Sequence, residues 1–155
     1  MSNLGDNFPQ FKLFDQNGQV ISSKELKDKI FVLFSYPRAL TPGCTNEVCS
    51  IRDTFTILKK RGVTPLGISN DNIAKNKKFS DKYELQYSLL SDEENTLLTE
   101  LGAYGEKILY GKKSMGTFRF TWIVDKDFKI VKIFKKVKTK VHGEEILAAL
   151  DALNL

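Results

Sequence analysis

Histidine occurs once in this chain of 155 residues, at His142, and cysteine twice, at Cys44 and Cys49. Two cysteines are too few for the disulfide framework of a secreted scaffold. A structural zinc site wants four ligands, and two sulfurs with one distant histidine fall short. No Ser-His-Asp set, phosphate-cradling glycine loop or metal-ligand cluster stands out, so neither a metal nor a cofactor is expected. No apolar run nears the ~18 residues of a membrane span. The opening Met1–Asp6 lacks the charged-then-apolar pattern of a leader, and a cytoplasmic protein without a membrane partner is expected. Repeats, linkers and low-complexity tracts are also missing, so residues 1–155 are expected to form a single domain. The formal charge of +5 comes mostly from lysine. It reads as solvated surface, not as a nucleic-acid interface.

What is present is the composition of an ordinary globular protein, 41% hydrophobic and 28% charged. Phe11–Phe14 and Gln19–Ile21 read as short strands around the turn-forming Asp15-Gln-Asn-Gly18, with Ser22 or Ser23 capping a helical turn. Ile30–Ser35 is apolar without alternation, as suits a strand buried on both faces. A helix then runs to about Lys60, ended by Arg61-Gly62, and Thr64–Ser69 reads as the next strand. Ile73–Tyr83 is a helix with a thin apolar face, and Ser91-Asp-Glu-Glu94 reads as a capping box ahead of Leu97, Leu98 and Leu101. Ala103–Met115 has no clear period and reads as loop. Arg119–Val124 and Lys129–Phe134 are strands joined by Asp125–Phe128, and Ile146, Leu147, Leu150 and Leu153 mark a closing helix. This order predicts an α/β protein with a central mixed β-sheet flanked by helices, in a thioredoxin-like arrangement.

Both cysteines fall at the first strand-to-helix junction. Pro42 suits the first helical position, and it pushes Thr41 towards the extended conformation of a helix cap. Cys44 then lies in the first turn, where the helix dipole and spare N–H donors favour thiolate over thiol. Cys44, Val48, Ile51, Phe55 and Leu58 recur at helical spacing, so Cys44 begins the core-facing stripe and Cys49 falls outside it. Five residues of α-helix correspond to ~7.5 Å of rise and roughly 140° of rotation. That exceeds the reach of a disulfide, so bridging requires the first turns to unwind. Either the two thiols act independently or the helix is a redox-dependent moving part. Three readings of the pair remain open on these grounds: inert buried thiols, a catalytic thiol with a partner, or a non-enzymatic redox-switched binding module. A thiol-disulfide oxidoreductase is disfavoured, because four intervening residues keep helical sulfurs apart. Arg119 opens a strand apolar on both faces, so a buried guanidinium there needs an anion.

The run Tyr36-Pro37, Thr41-Pro42-Gly43-Cys44-Thr45, Glu47, Cys49-Ser50 and Arg52-Asp53 closely resembles the peroxiredoxins, specifically the bacterioferritin comigratory protein or PrxQ subfamily. The likeness continues through Gly5-Asp6, Phe8-Pro9, Ser69, Asp71, Leu89–Asp92, Arg119, Thr121, Ile123–Asp125, Lys136–Lys138 and His142, nearly the whole chain in order. The resemblance implies a thioredoxin fold and a thiol peroxidase for hydrogen peroxide and organic hydroperoxides. It implies that Cys44 is the peroxidatic cysteine and that Thr41 hydrogen-bonds thiolate and peroxide. Pro37 then shields the pocket, and Arg119 stabilises the charge on sulfur and on the breaking O–O bond. Cys49 is implied as the resolving cysteine, closing an intramolecular disulfide that thioredoxin or a similar dithiol reduces. A monomer is expected. The chain departs from the subfamily pattern at Arg38-Ala39-Leu40, where the pocket mouth is more apolar and basic, which suits bulkier hydroperoxides.

Overall fold

The strand Ile30–Ser35 (β3) is buried at every position and lies in the interior of the sheet. Its side chains alternate between two cores. Phe31 and Leu33 join one face with Phe8, Leu66, Leu98 and Trp122; Val32 and Phe34 join the other with Val48, Ile51, Phe79 and Ile146. Two-sided burial explains the unbroken apolar run, since neither face of β3 meets water.

A computed structural model describes residues 2–155. The first strands are Lys12–Phe14 (β1) and Val20–Ser22 (β2), followed by a single 3-10 turn capped by Ser22. After β3 come the helix Pro42–Lys60 (α1), the strand Val63–Ser69 (β4), the helix Ile73–Tyr83 (α2), the strand Leu89–Ser91 (β5) and the short helix Thr96–Glu100 (α3). The chain then forms strands Tyr104–Leu109 (β6), Lys112–Thr117 (β7), Thr121–Val124 (β8) and Ile130–Phe134 (β9), and ends in the helix His142–Ala152 (α4). The main sheet has the order β2-β1-β5-β4-β3-β8-β9. β3, β4 and β5 run parallel, and β8 lies antiparallel on the other side of β3. The expected mixed α/β sheet flanked by helices is what forms.

Three expectations differ. Ala103–Met115 is not a loop: β6 and β7 make a separate hairpin turning at Tyr110 (φ 52°) and Gly111 (φ 75°). Positive φ at both positions is the type I′ geometry usually written Asn-Gly, and a tyrosine hides it. The hairpin also stands largely in water, so no apolar alternation marks its strands. The capping box fails at its first residue. Ser91 is spent in β5, and the buried Asp92 accepts the Leu98 N–H at 2.8 Å instead. Arg119 lies ahead of β8, in the irregular segment that follows the hairpin.

The thin apolar face of α2 has a polar supplement. Buried Asn76 accepts from the Tyr36 hydroxyl at 2.6 Å and donates to Ser91 at 3.0 Å, tying α2 to the ends of β3 and β5. Helix α4 approaches α1 closely at Gly143, whose N–H donates to the Ser50 hydroxyl at 2.8 Å. A Cβ there would stand 2.5 Å from the Ser50 carbonyl oxygen and 2.6 Å from the Thr54 hydroxyl. Gly143→Ala should therefore force the helices apart and cost about 1–3 kcal/mol, read as a lower denaturant midpoint in chemical unfolding.

Candidate active site

Three features of the chain converge where β3 ends. Ser35, the last residue of β3, donates to the Phe118 carbonyl at 2.6 Å and accepts the Phe120 N–H at 3.0 Å. Its own N–H reaches the Phe120 carbonyl at 2.9 Å. These bonds straddle Arg119 and fix the stretch that carries it beside the start of α1. Ser35 was invisible as a functional residue in sequence, where it closes an apolar run.

The loop into α1 is held from the far side. Asp71, just past β4, accepts the Ala39 N–H at 2.8 Å, and Leu40 adopts a left-handed conformation (φ 67°) with its side chain exposed. Thr41 has the extended backbone of a cap (φ −85°, ψ 156°), and Pro42 opens the helix as expected. The Thr41 hydroxyl does not cap the helix, however. It donates to the Arg38 carbonyl at 2.8 Å, which leaves its oxygen lone pairs free to accept. Pro37, half-buried, follows the fully buried Tyr36.

Cys44 is completely buried at the start of the core stripe, with its Sγ 3.3 Å from Nη2 of Arg119. The guanidinium passes over Gly43, where a Cβ would meet Nη2 at 3.2 Å. Nη1 of Arg119 donates to Oε1 of Glu47 at 2.6 Å. The anion that Arg119 needed is thus a pair: the sulfur and a carboxyl. Glu47 has no exposure, and burial, against the opposing charge of Arg119, raises its pKa from 4.5 to about 7. Sequence reasoning placed Glu47 in the family-like run but gave it no role. The available signal was its position three residues after Cys44, on the same helix face.

His142 also arrives here, from the start of α4. Its ring is buried, with Nδ1 on the Glu145 carboxylate at 2.9 Å, Nε2 on the Thr121 hydroxyl at 2.8 Å, and Glu47 Oε2 at 3.9 Å. Burial lowers its pKa, opposed by Glu145, and keeps the ring neutral at physiological pH. From β6, Lys107 sets its ammonium 5.5 Å from the centre of the Phe118 ring, next to the arginine segment.

Cys49 sits apart. It is half-buried against the helix-side core, both cysteines are free thiols, and burial pushes the Cys49 pKa up while Arg52 draws it down. Of the residues singled out in sequence, the structure joins Cys44 and Arg119 directly and sets Thr41 three residues before Cys44, at the head of the same helix. Cys49 stays on a helix that is intact from Pro42 to Lys60.

The architecture and the sequence have clear relatives. An AhpC/TSA family model matches residues 4–133. Peroxiredoxin Bcp of Escherichia coli K12 is 38% identical over 143 residues, which is 92% of each chain. The crystal structure of peroxidoxin BcpB from Mycobacterium tuberculosis superposes with a TM-score of 0.86 at 33% identity, covering 99% of both chains. The bacterioferritin comigratory protein of Xanthomonas campestris, described for its alkyl peroxide reduction activity in trapped intermediate and ligand complexes, gives a TM-score of 0.88 at 28% identity over 94% of this chain and 92% of its own. With the motif, the fold and these relatives in agreement, the chain belongs to the AhpC/TSA family and is a peroxiredoxin of the bacterioferritin comigratory protein (PrxQ) type.

Proposed function

We propose that this peroxiredoxin reduces hydrogen peroxide and organic hydroperoxides at Cys44, resolves the product with Cys49, and takes its electrons from thioredoxin or a similar dithiol. The observation that carries the reading is the buried Cys44 sulfur in the first turn of α1 with an arginine N–H 3.3 Å away. Helix end and guanidinium both favour the thiolate, which is the nucleophile.

The Cys44 thiolate attacks the terminal peroxide oxygen in line with the O–O bond. The S–O bond forms as the O–O bond breaks, giving the sulfenic acid and an alkoxide that is protonated to the alcohol. Arg119 faces both the attacking sulfur and the oxygen on which charge builds, the electrostatic task of an oxyanion hole. Thr41, its proton committed to Arg38, accepts the peroxide O–H and orients the substrate. Pro37 covers the mouth. Leu40, exposed and held by a left-handed backbone, gives the entrance an apolar edge suited to bulky hydroperoxides.

Cys49 then attacks the sulfenic sulfur, expelling water and closing the disulfide. An intact helix holds the sulfurs too far apart, so the first turns of α1 unwind at this step. The same element is active site when reduced and hinge when oxidised. Residues 1–155 read as one peroxiredoxin domain, working as a cytoplasmic monomer. Among the described residues, no helix is long and apolar enough to cross a membrane.

The test is NADPH oxidation with thioredoxin, its reductase and hydrogen peroxide, in which steady turnover is expected; a redox-switched binding module gives none. Cys49→Ser should consume about one equivalent of peroxide and then stop, leaving Cys44 as a sulfenic acid that a dimedone probe traps. Sustained thioredoxin-dependent turnover by that variant removes Cys49 from the mechanism.

A further inference from the structure

One guanidinium serves two groups that can each carry a negative charge. Arg119 reaches Cys44 Sγ with Nη2 and Glu47 Oε1 with Nη1, at 3.3 and 2.6 Å. The second carboxyl oxygen of Glu47, Oε2, is buried without a hydrogen-bond partner among the described residues. Its polar neighbour is His142 Nε2 at 3.9 Å, and that nitrogen is already engaged by Thr121. A carboxylate only accepts hydrogen bonds, so Nδ1 of His142, on Glu145, carries a ring proton. Burial lowers the His142 pKa and so keeps the ring neutral near pH 7; Nε2 then accepts from the Thr121 hydroxyl and offers Oε2 no positive charge.

The other charged or titratable groups nearby place no cation on the carboxyl. Glu145 on α4 adds a like charge, while Tyr36 beyond β3 and Tyr87 ahead of β5 are buried phenols kept protonated. Lys107 on β6 feels Arg119 and Cys44, but its ammonium rests over the Phe118 ring and makes no ion pair with Glu47 among the described residues. Cys44 and Glu47 thus share one directly bonded cation, Arg119. A proton on Oε2 resolves the conflict and leaves Oε1 to accept from Arg119. A raised Glu47 pKa, near neutrality, agrees with that arrangement.

We propose that Glu47 is a redox-linked proton store: it holds a proton while Cys44 is a thiolate and gives it up when oxidation removes the charge on sulfur. This rests on the reading of Cys44 as the peroxidatic cysteine. Without the store, the oxidative half-cycle converts the Cys44 thiolate, the Cys49 thiol and hydrogen peroxide into the disulfide, water and hydroxide. With it, the carboxylic acid of Glu47 neutralises the hydroxide, and the products are the disulfide, two waters and the Glu47 carboxylate. Arg119 then keeps an anionic partner although it has lost the thiolate. When the disulfide is reduced, the returning Cys44 thiol loses its proton as Glu47 regains one, and the cycle closes. Glu47 acts through Arg119 and does not touch substrate; it is a positioning residue with a proton to lend.

The experiment is a single turnover of the reduced protein with hydrogen peroxide, near pH 7 in weak buffer, followed with a pH-indicator dye while disulfide formation is followed separately. The wild type should form its disulfide with almost no change in free protons. Glu47→Gln, which keeps the Arg119 hydrogen bond but stores no proton, should take up about one proton per disulfide. A structural role for Glu47 does not shift this stoichiometry. Proton uptake by the wild type equal to that of the variant overturns the proposal. If the variant fails to fold, the wild type decides it alone: zero uptake together with the ultraviolet absorbance of a resting Cys44 thiolate supports the store, and zero uptake from a resting thiol overturns it. Failure of the wild type to consume peroxide at all overturns the underlying peroxidase reading instead.

Discussion

Cys44→Ser is expected to consume peroxide no faster than buffer alone, even with Cys49 intact. Serine fits the space but is not ionised near neutral pH, so the nucleophile is lost while the helix remains. Cys49 cannot take over. Burial pushes its pKa up, and Arg52, the cation beside it, is already engaged with the Asp53 carboxylate at 3.0 Å and the Tyr83 carbonyl at 3.0 Å. Cys44, by contrast, has an arginine donor aimed at its sulfur. The measurement is peroxide loss from the fully reduced variant, alongside circular dichroism to establish that it is folded. Normal peroxidase activity in this variant would falsify the mechanism.

Arg119→Ala should lower the second-order rate with hydrogen peroxide by about 10²–10³-fold, the size of loss seen when a preorganised oxyanion donor is removed. The fold should survive. Glu47 loses its partner but can remain a neutral acid, so no uncompensated charge is left in the core. Two readouts separate this from simple destabilisation. Alkylation of Cys44 by iodoacetamide at neutral pH should slow as the thiolate fraction falls, and an unfolding midpoint near the wild-type value should accompany it. Arg119→Lys should recover only part of the rate, because a point charge cannot span sulfur and carboxyl as the planar guanidinium does. An unchanged peroxide rate in Arg119→Ala leaves the residue a structural ion-pair partner of Glu47 and nothing more.

The parts of this site legible in sequence were those fixed by local rules. Pro42 after Thr41 announces a helix start whatever the tertiary context, and the stripe from Cys44 to Leu58 announces which way the sulfur faces. What escaped depends on contacts between distant segments. Ser35 and Phe118 are 83 residues apart, and nothing near either of them says that their bond aims Arg119 at α1. Nothing local to Glu47 marks it for burial, because the arginine that permits it comes 72 residues later. The β6–β7 hairpin was missed for the opposite reason: its strands are held by each other and by a turn, with little burial to impose a period. Thr41 shows a subtler limit. Its backbone conformation followed from the proline, but the direction of its hydroxyl followed from the Arg38 carbonyl, which the fold supplies.

The contact at Gly143 bears on how far oxidation can propagate. Its N–H is bonded to the Ser50 side chain and its missing Cβ lets α4 rest on the Ser50 carbonyl, immediately after Cys49. From that point on, α1 is stitched to α4, and Ile51 and Leu58 anchor it in the helix-side core. In the proposed cycle, melting that begins at Pro42 would meet a seam just after Cys49. It would free roughly two turns of helix and no more. A protein working this way would dismantle its reactive centre in every cycle without becoming a partly unfolded chain, because the segment that must come loose ends where the scaffold held by α4 begins.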